Sequence, residues 1–424
     1  MSNNVILTPK VFGKLTLMDL GGNLKIAANM SNQLTPEFGK KSYKVGDSVQ
    51  FYKPYRFVGG DGINWEPEAI VDQVGTASVR QVSKVHYQMG SVERTLDIRE
   101  AMKLYTGPAG RALANKINNR SAQFAANYAL NSVGTPGTAP TSEATYLAAG
   151  DILCELGLPD GEALKLFINR KMSTAFVSGV KSLYNPTGAL SKQWSKGEMQ
   201  DSLGYDVIRD QTIATRTNGT FAGTPLINAG AGLSFSAEGG NNATMNIAID
   251  GWNSGSTSLL LGDRFTIGST SSATVGGVNS VHPQTRQTTG RQQIFTVQSP
   301  VSDVSGAMAT VVIAPAITPV GQYQNVDSAA VDNGIVTMVG TTGLTNIVQG
   351  LLMHESAFGF ISVPMWNPPS NGVIAAEVIT DPETGLTLNL VKYFDGDARE
   401  EKTRFDCLWD NCKMYPEMAC VIQS

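Results

Sequence analysis

One interval of the sequence, residues 197–391, contains no lysine, although lysines are frequent before it and return at Lys392. Within this interval, residues 225–345 are rich in Gly, Ser, Thr, Asn and Val, and residues that favour turns recur at short spacing. Such a composition predicts a small all-β domain with tight turns. Helical patterns precede the interval and alternating strand patterns follow it. We therefore expect an α+β chain that is interrupted by a separate all-β domain, not three modules in series.

Composition limits the class of protein further. A chain of 424 residues has room for two or three domains, and hydrophobic residues at 42% are sufficient for a substantial core. Charged residues make up only 16%, against about 25% in typical soluble domains, which suits a surface that packs against copies of itself. The net charge of -4 argues against a protein that coats nucleic acid over its whole surface.

The cysteines and the N-terminus indicate the cellular compartment in which the protein is made. The spacing of the cysteines matches neither CxxC nor a usual zinc pattern, so we expect reduced core thiols at Cys154, Cys407, Cys412 and Cys420. The N-terminus lacks a basic stretch followed by an apolar one, and no run of 18 apolar residues occurs. These features predict synthesis in a reducing cytoplasm and no association with a membrane.

The first 95 residues show two patterns. Residues 1–42 hold a few apolar clusters without clear periodicity, and we interpret them as an extended arm. Residues 43–95 are strand-like, because Val49 and Phe51 alternate with polar residues and a second strand starts at Val82. Together these strands predict a long hairpin.

The tip of this hairpin lies around Asp61–Pro67 and is polar. A long hairpin with few apolar residues at its tip is not stable alone, so it needs a neighbour. An exposed tryptophan commonly anchors an interface, although local packing within the hairpin is the alternative. The candidate interface residues at the tip are Trp65, Asp61, Glu66 and Glu68.

The strongest helical pattern follows the hairpin. Thr106–Pro108 is a plausible start, since proline suits the first helical turn. Apolar residues then recur at helical spacing, at Leu113, Ile117, Phe124 and Tyr128. Every charged residue between Ala101 and Ser142 is positive, namely Lys103, Arg111, Lys116 and Arg120.

Shorter predicted helices and strands complete the α+β pattern of the chain. Helices are predicted at residues 142–156 and 169–183, with a further one at 196–203, around a strand at 163–168. After the all-β insert, strands are predicted at 354–364, 373–380, 386–393 and 403–409.

Two stretches inside the insert resemble a known signature. LGDRFTI at residues 261–267, followed by VNSVHPQTRQTTGRQQIFTV at residues 278–297, resembles the insertion domain of phage coat proteins of the Salmonella short-tailed (P22-type) family. Residues 269–277 are extra length within this pattern. The positions that match the signature are Gly262, Asp263, His282, Pro283, Gly290 and Phe295.

The order of the remaining elements is similar to the HK97-like coat fold, which is α+β. The resemblance implies that the chain consists of an N-terminal arm (1–42), an E-loop hairpin (43–95), a spine helix with peripheral domain (96–141), a first axial part (142–224), an all-β insertion domain (225–345), a second axial part (346–380) and C-terminal peripheral strands (381–424).

The function implied by this resemblance is that of a major capsid protein. Such a protein is expected to form the hexamers and pentamers of an icosahedral shell around double-stranded DNA, and to occur in the virion after assembly in the host cytoplasm. The implied partners are copies of itself, a separate scaffolding protein, a portal protein and packaged DNA, and expansion on packaging is expected. Arg111, Lys116 and Arg120 would face the DNA through sequence-independent phosphate contacts, although an ordinary solvated helix face explains them equally well.

Enzymatic chemistry is not expected. The histidines are His86, His282 and His354, and the adjacency of His354 to Glu355 and Ser356 says little about catalytic geometry. We expect no cofactor, metal or catalytic site. Two alternatives stay open: an encapsulin-like compartment shell, and a secreted β-rich adhesin or glycan-acting protein, which would need paired carboxylates in a cleft.

Overall fold

The computed structural model describes residues 9–38, 48–57, 59, 62–63, 67, 70–90, 105–159, 163–180, 204–228, 240–274, 276–303, 305–367, 373–381 and 384–424. These residues form two compact units. The first unit comprises Met1–Phe51, Gly75–Ala122 and Phe358–Met414, and the second comprises Tyr52–Val74, Gln123–Ala357 and Tyr415–Ser424.

The helices of the described residues are few and the strands many. The α-helices are α1 (Pro9–Gly21), α2 (Thr35–Phe38), α3 (Gly107–Tyr128), α4 (Glu143–Glu155) and α5 (Arg170–Val180), and 3-10 turns occur at Ala27–Asn29, Gly240–Asn242, Glu355–Ala357 and Pro416–Met418. Within the described ranges, none of these helices has the length and apolar character needed to cross a membrane.

The strands, in chain order, are β1 (Ser48–Tyr52), β2 (Val74–Ser78), β3 (Gln81–Gly90), β4 (Asn131–Val133), β5 (Leu164–Ile168), β6 (Asp206–Arg209), β7 (Thr215–Arg216), β8 (Gly223–Ile227), β9 (Met245–Trp252), β10 (Ser258–Leu259), β11 (Arg264–Ile267), β12 (Asn279–Val281), β13 (Thr288–Gln292), β14 (Ile294–Val297), β15 (Val301–Ser302), β16 (Met308–Ala314), β17 (Val336–Met338), β18 (Ile347–His354), β19 (Phe358–Val363), β20 (Ala375–Thr380), β21 (Thr387–Asp395), β22 (Glu400–Lys413) and β23 (Ala419–Gln423). The α+β class predicted from the sequence is confirmed.

The first unit is built on β22. This long strand pairs with β3 and β21 along its first part and with β19 along its last part, and β20 extends the sheet beyond β21. Phe405, Cys407 and Trp409 alternate along β22 and are all buried, because residues two apart in a strand share a face. The indole nitrogen of Trp409 donates to the hydroxyl of Ser83, 3.0 Å away, which satisfies its one polar group inside the core.

The N-terminal arm differs from the expected extended conformation. Residues 9–21 form α1, which contacts β20 and β21. The α-carbon of Gly13 faces the side chain of Ile379, so the helix approaches the sheet closely at that point. Leu17 and Leu20 are buried. The described part of the arm is therefore folded onto the body of its own unit, because its apolar clusters find a partner in the sheet.

The predicted hairpin of residues 43–95 is also built differently. β1 pairs with β2, but the strand that begins near Val82 is β3, and it pairs with β22 instead of β1. The backbone N–H of Arg80 donates to the carboxylate of Asp410, 3.2 Å away, at the start of this pairing. β3 pairs with β22 because β22 is the longer strand. Ten residues of β22 pair with β3, whereas β1 has only five residues to offer.

The long helix agrees with its prediction. α3 begins at Gly107, directly after the buried Thr106, and Leu113 and Ile117 are buried one turn apart. The side-chain oxygen of Asn118 accepts hydrogen bonds from the backbone N–H groups of Ile26 (2.8 Å) and Ala27 (3.3 Å), so a polar residue fixes the arm against the helix.

The second unit contains a mixed sheet in the order β4-β23-β18-β5-β6, with β7 pairing to the start of β18. The predicted helix at 142–156 is confirmed as α4, and the hydroxyl of Ser142 accepts the N–H of Ala144 as an N-cap. β5 and α5 are confirmed as well, whereas residues 181–203, with the helix expected at 196–203, lie outside the described residues.

The described residues between 225 and 345 form strands and turns, with one 3-10 turn at Gly240–Asn242, as the all-β prediction for this stretch expects. Its strands form an antiparallel sheet in the order β17-β11-β14-β16-β9-β8, with two short ribbons, β10-β15 and β12-β13. Phe265 and Phe295 lie on adjacent strands with ring centroids 6.0 Å apart at the centre of a separate core.

Sheet membership divides the chain differently from the expected segments 346–380 and 381–424. β18 and β23 pair with each other in the sheet that contains β5, whereas β19 and β20 lie in the sheet of β21 and β22. The seven-part domain division remains a prediction.

All four cysteines are described and none forms a disulfide, and three of them agree with the expectation of core thiols. Cys407, Cys412 and Cys420 are buried, but Cys154 is exposed on α4, so the prediction is wrong for that residue. Burial raises the pKa of Cys420 to about 12 and also raises the pKa of Cys407.

Candidate functional site

The four candidate interface residues of the hairpin tip lie outside the described residues, so their contact with a neighbour remains a prediction: Trp65, Asp61, Glu66 and Glu68. Described residues in and around the tip have exposed apolar side chains, at Tyr52, Phe57, Ile63 and Ile70. The exposed fraction is 105% for Ile63 and 64% for Ile70. Apolar side chains concentrated in one exposed segment are typical of a surface that becomes buried on association.

The base of this segment, in contrast, is held by contacts with other residues of the second unit, to which the segment itself belongs. The ammonium of Lys53 lies 5.3 Å from the ring centroid of Tyr415, and the guanidinium of Arg56 lies 3.7 Å from the carboxylate of Glu417. The hydroxyl of Tyr323 donates to the carbonyl of Val71, 2.9 Å away. These contacts fix both ends of residues 53–71 while their middle carries the exposed apolar groups.

The three basic residues of the long helix are exposed. Arg111, Lys116 and Arg120 lie on the solvent side of α3, and Arg120 donates to the side-chain oxygen of Gln81, 3.2 Å away. Lys116 and Arg120 are four residues apart and so share one helix face. Exposure is necessary for contact with a polyanion, and a solvated face would look the same, so the DNA-facing role remains a prediction.

The first part of the signature, Gly262 and Asp263, forms a buried polar turn. Gly262 has φ of 85°, which favours glycine, and its α-carbon lies against Asn127. The carboxylate of Asp263 accepts the backbone N–H groups of Leu260 (2.7 Å) and Gly219 (3.2 Å) and forms an ion pair with Arg216. Arg216 also donates to the carbonyl of Gly262.

Arg264 links the insert to the end of the long helix. It is 1% exposed, and its guanidinium donates to the carbonyls of Ala126 (2.7 Å) and Ala129 (3.1 Å). The last carbonyls of a helix have no hydrogen-bond donor within the helix, and they carry partial negative charge. A guanidinium at this position supplies the donors and also a positive charge that balances the helix dipole. Burial lowers the pKa of Arg264 to about 10. The pKa of Arg216 is lowered to about 9, mainly by burial and to a smaller extent by the positive charge of Arg264 nearby. Both groups stay charged at neutral pH.

Sequence reasoning missed Arg216 and Arg264. A signal was present for Arg264, because an arginine inside an apolar strand, as in LGDRFTI, needs buried hydrogen-bond acceptors. Arg216 offered no local signal, since its partner Asp263 lies 47 positions further along the chain and only the fold brings the two together.

The second part of the signature is a structured turn. The ring nitrogen Nδ1 of His282 accepts the N–H groups of Gln284 (3.2 Å) and Thr285 (3.3 Å), which gives this histidine a structural role. Pro283 faces Gly157 at the end of α4. On the same ribbon, Arg291 forms an ion pair of 3.1 Å with Glu155 of α4.

The remaining signature residues have backbone and core roles. Gly290 lies in β13 with φ of 72°, a conformation that side chains disfavour. Phe295 is completely buried in the core of the insert. The signature thus shapes and anchors the insert. Phe295 takes part in its core and His282 shapes a local turn, whereas Gly262, Asp263 and Pro283 contact residues in or next to α3, β7 and α4.

The possible catalytic group around His354 has ordinary local geometry. Its Nδ1 lies 2.7 Å from the hydroxyl of Ser356, and that hydroxyl lies 3.4 Å from the sulfur of Met418. Over the described ranges, no cluster of three or more His, Cys, Asp or Glu side chains could hold a metal ion. His86 is exposed on β3.

Comparisons with known proteins agree with the resemblance. A family model described as "P22 coat protein - gene protein 5" matches residues 17–423. A "Major capsid protein" of Acyrthosiphon pisum secondary endosymbiont phage 1 is 20% identical over 382 residues, covering 87% of each chain.

Solved structures with some likeness include a chain from Mycobacterium phage Che8, with a TM-score of 0.46 and 11% identity, covering 94% of this chain and 90% of that one. Another is the "Asymmetric unit of bacteriophage PhiM1 mature capsid", with a TM-score of 0.42 and 8% identity, covering 89% of this chain and 82% of that one. The family match extends over nearly the whole length, including the α+β body and the all-β insert. The chain therefore belongs to the P22 coat protein family, as a phage major capsid protein with a structural role in the capsid of the virion.

Proposed function

We propose that this coat protein assembles as hexamers and pentamers of an icosahedral head around double-stranded DNA. Assembly takes place in the host cytoplasm with a separate scaffolding protein and a portal protein, and the shell expands when DNA is packaged. The HK97-like division into E-loop, spine helix, peripheral and axial domains and insertion domain is part of this proposal.

The observation that supports it best is the segment between β1 and β2. Its ends are fixed by Lys53, Arg56 and Val71, while its exposed residues include Phe57, Ile63 and Ile70. Burial of apolar surface contributes about 25 cal/mol for each Å². A neighbouring subunit that covers this segment therefore stabilises the shell, and every copy repeats the contact.

The tip completes this interface in the proposal. Trp65 supplies the apolar anchor, and Asp61, Glu66 and Glu68 supply charges that pair with a basic surface of the neighbour. On the inner wall, Arg111, Lys116 and Arg120 contact phosphate groups of the packaged DNA.

The test is expression of the protein with and without a candidate scaffolding protein, followed by negative-stain electron microscopy. Closed shells of uniform size that depend on the scaffolding protein would support the proposal. Shells without nucleic acid and without a portal vertex in the mature particle would instead indicate a compartment shell, and a protein that stays monomeric under all conditions would contradict shell assembly.

A further inference from the structure

The carboxylate of Glu417 is buried in the second unit, in the 3-10 turn Pro416–Met418. The side chain is 3% exposed, and its two oxygens accept no hydrogen bond from the described residues. The guanidinium of Arg56 lies 3.7 Å away and supplies a positive charge. A buried carboxylate is costly unless a cation lies beside it, so Glu417 depends on Arg56.

The backbone around Glu417 is fixed to the residues that follow α3. The side-chain amide of Asn131 donates to the carbonyls of Glu417 (2.9 Å) and Ala419 (3.3 Å). The backbone N–H of Leu130 donates to the carbonyl of Pro416, 3.4 Å away. Because the turn is held on this side, it cannot move outward together with Arg56. The carboxylate therefore stays buried when Arg56 leaves.

Arg56, in contrast, lies at the edge of solvent. Its side chain is 31% exposed, and its neighbours in the chain, Tyr55 and Phe57, are exposed as well. Water can solvate the guanidinium after an outward movement of the segment, whereas the carboxylate is left without a counter-charge. The dependence is therefore unequal, since Glu417 needs Arg56 more than Arg56 needs Glu417.

We propose that Glu417 is a positioning residue, which holds residues 53–71 against the C-terminal turn because its own charge is costly to leave buried without Arg56. The segment is thereby kept in one orientation, with the exposed side chains of Ile63 and Ile70 available to a neighbour. This consequence for assembly rests on the proposed function, whereas the contact itself is a property of the isolated subunit.

The test compares Arg56→Gln, Glu417→Gln and the double variant as isolated subunits. All three remove the ion pair, so chymotrypsin should cut after the exposed Phe57 about tenfold faster than in the wild type, with each rate divided by that of the urea-unfolded chain. Mass spectrometry of the fragments identifies the cut.

The thermal midpoint should separate the same variants. Arg56→Gln leaves a buried charge without its cation and should lower the midpoint by about 2–6 °C. Glu417→Gln removes that charge and should stay within about 2 °C of the wild type, and the double variant should resemble Glu417→Gln. A contact in which both partners contribute equally would give equal losses in the two single variants.

Lys402→Gln is the control. It removes the cation of an ion pair with Asp395 in the first unit, at 2.6 Å, whose side chains are 29% and 30% exposed. Both measurements should keep their wild-type values, because a pair in contact with solvent contributes little. A wild-type cutting rate in Glu417→Gln, or equal midpoint losses in Arg56→Gln and Glu417→Gln, would overturn the inference.

Assembly provides the functional measurement. Glu417→Gln should lower the initial rate of shell formation, followed by light scattering, about threefold, since a segment with several orientations pays more entropy on binding. An unchanged rate would overturn the role of Glu417 in assembly. A wild-type subunit that forms no shell would count against the proposed function instead, and the cutting rates and thermal midpoints would still decide whether Glu417 holds the segment.

Discussion

The guanidinium of Arg264, at the start of β11, donates to the carbonyl of Ala126 in the last turn of α3, 2.7 Å away. This bond joins the all-β insert to the helix that precedes it by more than a hundred residues. Because the bond is buried, water and salt screen it much less than they screen a surface contact. The insert is thus held at a defined place on the second unit by a charged hydrogen bond as well as by packing.

Arg264→Met should lower the free energy of unfolding of the subunit by about 1–3 kcal/mol, because Ala126 loses a charged donor inside the core. Urea unfolding followed by circular dichroism measures the change. Arg111→Met is the control, since Arg111 is exposed on the same helix and should change stability by no more than about 0.5 kcal/mol. Equal losses for the two variants would show that the anchor contributes nothing.

The cysteines of the native subunit should differ in how fast their thiols react with an added reagent. Burial raises the pKa of Cys420 to about 12, so its thiolate is scarce at pH 7–8 and its sulfur is also shielded from reagents. Cys407 and Cys412 are buried as well, whereas Cys154 is exposed. Brief treatment with a maleimide, followed by peptide mass spectrometry, should find the label on Cys154. Equal labelling of Cys154 and Cys420 without denaturant would contradict the described packing.

Trp65→Ala should slow shell formation and leave the circular dichroism of the monomer unchanged, because the proposed anchor acts between subunits. Light scattering during assembly gives the rate. A matched control is Trp366→Ala, which removes a tryptophan that is 81% exposed in the first unit and lies outside residues 43–95. If both variants assemble at the wild-type rate, Trp65 is not an interface anchor.

Neutralising Arg111, Lys116 and Arg120 together, each to Gln, should shorten the packaged genome and reduce the heat stability of filled heads. The reason is that fewer phosphate charges are compensated at the inner wall. Lys84, Arg170 and Lys171 are exposed and basic in other parts of the chain, so their triple replacement by Gln is the control. Unchanged genome length and heat stability in the first triple variant would refute the DNA-facing role.

The sequence predicted those elements whose signal is local. α3 was recognisable from Thr106–Pro108 and from Leu113 and Ile117, and α4 from the capping residue Ser142, because helix starts and helical spacing are written in adjacent residues. The all-β insert was recognisable from its turn residues. The signature residues marked the place of the insert anchor, although not its arginines.

The remainder depends on contacts between distant residues. α1 escaped notice because Gly13 and scattered polar residues weaken its periodicity, and its stability comes from packing on β20 and β21. β18 was missed because a central strand that is buried on both faces shows no alternation. The partner of β3 is β22, more than three hundred residues away, and no local pattern predicts such a pairing.

The most direct test of the account is analytical ultracentrifugation of the purified protein, alone and after addition of the scaffolding protein. The account predicts a folded monomer of 45.1 kDa alone and rapidly sedimenting closed shells after the addition. A chain that remains a monomer with every candidate scaffolding protein, while its folded state is verified by circular dichroism, would contradict the central claim that this subunit is completed by copies of itself.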